Sequence, residues 1–234
     1  MVNYTFPSKG HILLNKYPLG YYLSLKLNTN SSHIISNIEK NFPSVHTRSL
    51  VAGGDVIWTR GVLKIIQQKG YEYLIKEIKH IFQTGDISFV NLEQSVSTRG
   101  EKYNLDKGIF FRGHPKYMSI LTDMKINLVS LSNNHIFDYG MTAALDTLKY
   151  LKANHISQVG FGMDLKEALK GKTYHWNGRR IKMIALNSVP PYNVAARKNF
   201  PGIAMIFAQK LRNQIALAKK SADILIVSVH NGYE

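Results

Sequence analysis

The sequence contains no cysteine among its 234 residues. This absence excludes disulfide bonds, a thiol nucleophile and every zinc or iron–sulfur site built on cysteine. Any metal ion must therefore be held by oxygen and nitrogen ligands. The absence identifies no compartment, because a bacterial cytosol and a cell surface both tolerate it.

Long apolar segments are also lacking. The most apolar run near the start, residues 11–27, is interrupted by Asn15, Lys16 and Pro18, whereas a membrane span needs about 20 apolar residues in succession. The basic, apolar and small-residue order of a signal peptide is missing as well. We expect neither a signal peptide nor a transmembrane segment. Residues 1–48 form an N-terminal extension of unclear structure, either a hairpin packed on the main domain or a loosely attached segment.

Acidic residues are scarce relative to basic ones. The sequence has 15 Asp and Glu residues against 30 Lys and Arg residues, a formal net charge of +15. This balance favours an anionic partner, such as nucleic acid, a phosphosugar, an acidic polymer or a negative membrane surface. Residues 51–150 nevertheless hold 10 of the 15 carboxylates. Acid–base or metal chemistry is expected in that segment first.

Short apolar runs alternate with amphipathic segments from residue 49 onward, and the hydrophobic share of 44% is that of a folded protein. This alternation predicts one α/β domain whose strands are covered by helices. The pair Asn177 and Gly178 predicts a hairpin turn, so part of the sheet should be antiparallel. The helix-like segments are residues 62–82, 143–151 and 203–218, and the strand-like runs are residues 50–56, 87–92, 128–131, 158–161, 181–186 and 224–229.

Polar groups follow four of the strand-like runs at their carboxyl ends. Ligand sites in open α/β sheets lie outside those ends, so groups far apart in sequence should converge in one crevice. Carboxylate, amide and imidazole groups are ligands for Mn²⁺, Fe²⁺ or Zn²⁺. The groups are Asp55, Asn91 with Glu93, Asn133 to His135 with Asp138, and His230.

Each of these groups also has an ordinary structural explanation. Asp55 follows two glycines and could only cap a turn, while Glu93 could be an exposed charge. The asparagines before His135 could satisfy backbone groups in a tight loop. Asp138 could cap the helix that starts near residue 141, and His230 could be a hydrogen-bonded histidine at a strand end. The combination of the four groups favours a functional site over these explanations.

Four motifs stand at these strand ends: GDV at residues 54–56, NLE at 91–93, LVSLSNNHIFDYG at 128–140 and HNGYE at 230–234. Their order and spacing resemble the CapA or PgsA family of bacterial capsule and poly-γ-glutamate biosynthesis proteins, a branch of the calcineurin-like metallophosphoesterases. The resemblance spans the domain at residues 49–234. It implies a calcineurin-like fold, in which mixed sheets are sandwiched by helices, and a divalent metal ion (Mn, Fe or Zn) as cofactor.

The resemblance also implies a role for each matching residue. By analogy His135 and Asp138 are catalytic, with His135 protonating or stabilising the transition state and Asp138 orienting its ring. Asn91 would hold the loop of Glu93, and Arg60 or Arg112 could meet an anionic substrate. The metal ligands implied are Asp55, Glu93, Asn134 and His230.

The sequence also departs from the family pattern. Ile57 stands where the parent phosphoesterases have a histidine, and Asn231 replaces the usual tryptophan. The later strand end that carries a Gly-His-x-His pattern has no counterpart before residue 234. We therefore expect a fold that is incomplete at the C-terminus, a truncated or split protein, and weak or absent metal-dependent activity of this chain by itself.

Three functional hypotheses remain at this stage. The first is a metal-dependent hydrolase-type or ligase-type enzyme of capsule or poly-γ-glutamate synthesis and export, acting on an anionic polymer or its precursor. The second is a non-catalytic polyanion-binding component, or a truncated remnant of such a protein, working with other capsule synthesis proteins. The third, a nucleic-acid binder, is disfavoured because no recognition motif is present. Association with the cell envelope is expected by family analogy alone.

Overall fold

The computed structural model describes residues 48–103, 107–207 and 211–232. Apart from Arg48, the predicted N-terminal extension lies outside the described residues, as do the last two positions of the HNGYE motif. The elements follow one another as β1 (Leu50–Val56), α1 (Arg60–Lys69), α2 (Glu72–Ile75), α3 (Lys79–Phe82), β2 (Ile87–Leu92), β3 (Ser95–Val96), β4 (Arg112–Gly113), a 3₁₀ turn (Pro115–Tyr117), α4 (Ser119–Asp123), β5 (Leu128–Ser130), α5 (Gly140–Ala153), β6 (Ser157–Val159), β7 (Phe161–Gly162), α6 (Leu165–Ala168), β8 (Lys172–Trp176), β9 (Arg179–Asn187), a second 3₁₀ turn (Tyr192–Val194), β10 (Gly202–Ile203), α7 (Leu211–Lys220) and β11 (Ile224–His230).

The first sheet is parallel and has the strand order β1-β2-β5-β6. All six residues of β2 are buried, as expected for an inner strand of a parallel sheet covered on both faces. The carboxyl ends of β1, β2 and β5 consequently open toward the same edge. This edge is where the sequence places three of its four polar groups.

A bulge interrupts β1 just before its functional residue. The register of β1 against β2 shifts between Ala52 and Asp55, across the two intervening glycines, and resumes with Asp55 opposite Asn91. A bulge bends the strand and redirects the side chain that follows it. The bulge thereby sets the position of Asp55 at the end of the sheet.

The second sheet is mixed and has the order β11-β9-β8. Strands β8 and β9 form an antiparallel hairpin, as the sequence predicts. The turn between them has φ 49° at Asn177 and 73° at Gly178, the two positive values that a two-residue hairpin turn of this class requires. Strand β11 then pairs in parallel with β9, which places His230 opposite Asn187.

The two sheets pack face to face between layers of helices. Their shared core includes Leu50, Phe89 and Leu128 from the first sheet and Met183 and Ala185 from the second. The other face of the first sheet is covered by a larger cluster that contains Ile66 of α1, Leu121 of α4 and Leu151 of α5. Residues of α6 and α7 cover the other face of the second sheet. The predicted architecture of mixed sheets sandwiched by helices is therefore confirmed.

Two of the predicted helices have different limits in the structure. The segment predicted as one helix over residues 62–82 contains three short helices, and the first ends where Gly70 adopts φ 80° and donates its N–H to Ile66 O. The prediction of a helix over residues 203–218 is wrong at its start. Ile203 belongs to β10 and pairs with Phe161, because its fully buried side chain joins the core under the first sheet.

Among the described residues, no helix is both long enough and apolar enough to cross a membrane.

Candidate metal centre

Asp55 and Asn91 stand opposite each other at the ends of β1 and β2. Asn91 Nδ2 donates a hydrogen bond of 2.8 Å to Asp55 Oδ1. The same nitrogen lies 3.2 Å from Nδ1 of His230. Asn91 therefore contacts one side chain from each sheet and holds them side by side.

Four side chains converge at this point from four different strand ends. The ligand atoms of Asp55, Glu93 and His230 all lie within 4.8 Å of one another. His230 Nε2 lies 3.1 Å from Glu93 Oε1 and 2.9 Å from Asn134 Oδ1. The sequence prediction that these strand ends share one crevice is confirmed.

The donors in this crevice suit a divalent metal ion. Two carboxylates, one imidazole and one amide oxygen form a set of oxygen and nitrogen ligands that Mn²⁺, Fe²⁺ and Zn²⁺ accept. Two acidic groups held this close repel each other, and a cation between them offsets that repulsion. Access also differs across the set, because the Asp55 side chain is 52% exposed and that of Glu93 only 12%. The open side of the cluster is thus at Asp55.

Asn133 holds two of the strand ends together. Its Nδ2 donates to the side chain of Asn91 at 3.0 Å and to Leu92 O at 2.9 Å. Its Oδ1 accepts from the backbone N–H groups of His135 and Ile136. The structural explanation considered for the paired asparagines therefore applies to Asn133, whereas the side chain of Asn134 faces His230.

His135 and Asp138 form a buried pair behind the cluster. His135 Nδ1 lies 2.6 Å from Asp138 Oδ2, and both side chains are almost completely inaccessible to solvent. Helix α5 begins at Gly140 after Tyr139, and no side chain caps it. Asp138 thus orients the imidazole and does not cap the helix.

A third residue, Lys107, contacts both members of this buried pair. The sequence does not predict this contact. Lys107 Nζ lies 2.9 Å from Asp138 Oδ1, 3.0 Å from His135 Nδ1 and 2.8 Å from Asn134 O. The side chain is only 13% exposed, so the carboxylate meets its counter-charge inside the protein. Lys107 lies in a segment between strands and follows no periodic pattern, so no local signal in the sequence predicts its position.

An aromatic ring links this pair to the protein surface. The ring of Phe111 stacks on His135 with a centroid distance of 4.0 Å, and its backbone N–H donates to Asp138 Oδ2 at 2.6 Å. The guanidinium carbon of Arg60 lies 5.9 Å from the centroid of the Phe111 ring. Arg60, one of the two cations predicted to meet the substrate, therefore stands next to the site.

Arg112, the other predicted cation, is engaged in local contacts. Its Nη1 donates to the carbonyl oxygens of Arg99 and Gly100, and its guanidinium lies 4.0 Å from the centroid of the Tyr139 ring. These contacts fasten the loop that follows β3 to the start of α5. The substrate role of Arg112 stays a prediction.

Taken together, the double sheet and the carboxylate–imidazole cluster at its strand ends define an α/β sandwich protein with a candidate site for a divalent metal. The chain matches the family described as "Bacterial capsule synthesis protein PGA_cap" over residues 49–234. It belongs to this family of bacterial capsule synthesis proteins.

Two curated relatives carry the name CapA. The PGA biosynthesis protein CapA of Bacillus subtilis (strain 168) is 31% identical over 182 residues, which cover 77% of this chain and 48% of the relative. The capsule biosynthesis protein CapA of Bacillus anthracis is 26% identical over 187 residues, covering 77% of this chain and 46% of the relative. The chain thus spans about half the length of these relatives.

Solved structures are also similar, one of them over most of this chain. It is a putative 5′-nucleotidase from Staphylococcus aureus in complex with alpha-ketoglutarate, with 15% sequence identity, a TM-score of 0.40, and coverage of 86% of this chain and 31% of that chain. At this TM-score the similarity is weak, and the architecture rests on the strand order and layers described above.

Proposed function

We propose that this chain acts in the synthesis or export of an anionic capsule polymer, poly-γ-glutamate or a related chain, through a metal-dependent site of hydrolase type. One observation carries the proposal: the donor atoms of Asp55, Glu93 and His230 lie within 4.8 Å of one another, and Asn134, which directly precedes His135, contacts His230. Family membership and the names of the relatives support the biological setting.

The proposed ligands are Asp55, Glu93, Asn134 and His230, and the proposed ion is Mn²⁺, Fe²⁺ or Zn²⁺. When bound, such an ion polarises an oxygen of the substrate and lowers the pKa of water. Asn91 fixes two of the ligands, because its side-chain amide contacts both Asp55 and His230. Contacts of this kind orient metal ligands and tune their affinity.

The buried pair of His135 and Asp138 is proposed to transfer protons. Asp138 holds the His135 ring in one orientation through Nδ1, which directs the other ring nitrogen away from the carboxylate. The positive charge of Lys107 sits against the same carboxylate and balances it in a site with little water. In this proposal His135 supplies or stabilises a proton at the reacting group, and the other two residues position it.

The charge of the chain and the names of its relatives support a substrate, partners and a location. A net charge of +15 suits an acidic polymer or its precursor. We propose other capsule or polyglutamate synthesis proteins as partners, and the cell envelope as the location, both by analogy with the relatives.

Calorimetric titration of the 234-residue chain with Mn²⁺ tests the metal site. Glu93→Gln and His230→Gln should each weaken binding more than about tenfold, because each removes a ligand or its charge. Glu77→Gln is the matched control, since this carboxylate is 82% exposed and remote in sequence from the site. Unchanged Mn²⁺ affinity in both site variants, or no bound ion by elemental analysis after incubation with Mn²⁺, would contradict the proposal.

A second assay tests the chemistry. The chain is incubated with a γ-linked glutamate oligomer and Mn²⁺, and shortened products are measured by mass spectrometry. Products that disappear in His135→Ala while Mn²⁺ still binds support a role of His135 in the reaction step. Products that persist at the same rate exclude that role.

A second candidate function is non-catalytic binding of a polyanion. It is favoured by the charge of residues 151–200, which hold nine basic and two acidic side chains and none of the proposed metal ligands. This candidate predicts binding of polyglutamate that weakens with salt and survives His135→Ala. Binding that tolerates salt but is lost in His135→Ala would exclude it.

A further inference from the structure

A cleft of about 250 Å³ shares no lining residue with the ligand cluster. Its lining combines two cations, two aromatic rings and a stretch of backbone. The lining residues are Arg60, Lys102, Gly108, Ile109, Phe110 and Tyr139.

The described lining of this cleft carries charge of one sign. Arg60 and Lys102 are its charged residues, and none of the lining residues that the structure describes is acidic. Among the residues that the structure describes, neither cation forms an ion pair. Both residues are exposed to solvent, and an anionic group placed between their side chains would offset the mutual repulsion of the two charges.

Aromatic rings hold both cations in place. Lys102 Nζ lies 4.8 Å from the centroid of the Phe110 ring, and the Arg60 guanidinium carbon lies 5.9 Å from that of Phe111. Phe110 in turn meets Tyr139 edge to face, with 6.4 Å between centroids. Cation–π contacts of this kind restrict long side chains while leaving their N–H groups available. The cations are therefore partly preorganised for a ligand.

The cleft is connected to the candidate metal centre through one residue. Phe111, next to Phe110 in sequence, contacts Arg60 and also stacks on His135. An anionic group held by Arg60 in the cleft would therefore be linked to His135 through the ring of Phe111. A polymer with one charge on each repeat fits this arrangement better than a small isolated ion.

We propose that the cleft binds the carboxylate of one repeat unit of an acidic polymer, with Arg60 and Lys102 as its counter-charges and Phe110 and Tyr139 as apolar walls for the methylene groups. This inference rests on the proposed function, because it names the part of the same site that takes the polymer. The guanidinium pairs well with a carboxylate in two parallel hydrogen bonds. The volume also fits one unit, since pockets that enclose whole drug-sized ligands measure roughly 300–1,000 Å³.

The test measures binding of γ-linked hexaglutamate to the 234-residue chain by calorimetry, once in EDTA and once with Mn²⁺. Arg60→Gln combined with Lys102→Met should weaken binding by about tenfold or more, because charge-assisted hydrogen bonds are lost. The control is Arg212→Gln combined with Lys219→Met, which removes the same charges from exposed positions of α7, outside the cleft and outside residues 151–200. This control should bind hexaglutamate with less than about a threefold change, which allows for the loss of general attraction.

Two further ligands separate the chemistry of the carboxylate from charge alone. γ-Linked hexaisoglutamine, in which each α-carboxylate is replaced by an α-carboxamide, has the same backbone without those charges and should bind at least about tenfold more weakly. Tripolyphosphate carries comparable charge without methylene groups and should bind more weakly than hexaglutamate. Equal hexaglutamate affinity in the cleft variant and the control variant would overturn the inference. So would a second result: the unaltered chain binds tripolyphosphate more tightly than hexaglutamate, and the cleft variant loses that tripolyphosphate binding.

The same experiment distinguishes failure of the cleft from failure of the metal site. The cleft variant should bind Mn²⁺ as the unaltered chain does, because neither side chain belongs to the ligand cluster. Normal Mn²⁺ binding with unchanged hexaglutamate affinity in the cleft variant rejects the cleft alone. Absence of Mn²⁺ binding in the unaltered chain rejects the proposed function, while the measurement in EDTA still reports on the cleft.

Discussion

Asn91 donates a hydrogen bond of 2.8 Å to Asp55 across the paired ends of two parallel strands. The same amide nitrogen lies 3.2 Å from His230, which comes from the other sheet. The side chain of Asn91 therefore couples the positions of two proposed ligands, Asp55 and His230.

Replacement of Asn91 by alanine should weaken Mn²⁺ binding by about 10- to 100-fold, the usual effect of removing a group that orients metal ligands. The measurement is calorimetric titration, with circular dichroism to establish that the variant is folded. Asn193→Ala is a suitable control because this residue is exposed in the second 3₁₀ turn and is not one of the proposed ligands. Equal affinity in both variants would show that Asn91 does not orient the ligands.

Lys107→Met should lower the free energy of unfolding by about 1–3 kcal/mol, the cost of removing the charged partner of a buried carboxylate oxygen. The loss falls on Asp138, whose side chain is 1% exposed and whose Oδ1 lies 2.9 Å from Lys107 Nζ. Urea denaturation measures the change. Lys152→Met, on the exposed face of α5, should stay within about 0.5 kcal/mol of the unaltered chain. Similar values for the two variants would contradict the buried ion pair.

Asp146 should make stability depend on pH in acid. The hydrogen bond from Arg99 lowers the pKa of Asp146 to about 2, from an ordinary value of 3.8. A lowered pKa stabilises the folded state above about pH 4, and this stabilisation is lost as the pH falls toward 2. The effect should be about 1 kcal/mol at most, because the Arg99 side chain is 60% exposed and screened by solvent.

Urea denaturation at pH 6, 4 and 3 tests this dependence. Asp146→Asn should be less stable than the unaltered chain at pH 6, and the difference should shrink as the pH falls. Glu77→Gln, at an exposed position, should show no such convergence. A difference between Asp146→Asn and the unaltered chain that stays constant over the range would exclude the pKa of Asp146 as its cause.

Gly178→Ala should destabilise the chain by about 1–2 kcal/mol, because alanine is strained at a φ of 73°. An added Cβ would meet no atom within 4 Å, so the cost is one of backbone conformation and not of contact. Gly61→Ala is a matched control in α1, where an added Cβ also meets nothing and φ is not positive. That variant should be neutral or up to about 1 kcal/mol more stable. Destabilisation by equal amounts would contradict the hairpin turn.

The sequence predicts the sheet well and the helices less well. Strands β1 and β2 have the predicted limits, because each is a short apolar run with turn residues around it. The hairpin turn is predicted from two residues for the same local reason. Ile203 was placed in a helix because its apolar neighbours fit a helical period, but pairing with Phe161 decides its conformation. Tertiary contacts of this kind leave no local pattern.

The candidate site was also predictable in part from the sequence. The crevice was predictable because parallel strands bring their carboxyl ends to one edge. The partners inside it were not predictable, because a side chain such as Lys107 reaches Asp138 from a segment with no periodic pattern. The distinct tasks of Asn133 and Asn134 depend on which way each amide points, and only the folded geometry determines that.

His230 is the one proposed ligand that comes from the second sheet, so the metal cluster spans the boundary between the two sheets. A bound ion would link the two sheets across that boundary. It would stabilise the folded chain in proportion to the logarithm of the concentration of free ion. The reverse also holds. Any change in how Met183 and Ala185 pack against the first sheet shifts β11 and its histidine relative to Asp55 and Glu93. The apolar layer between the sheets thereby sets the distances between the ligand atoms. Mutations in that layer should alter metal affinity although they change no ligand.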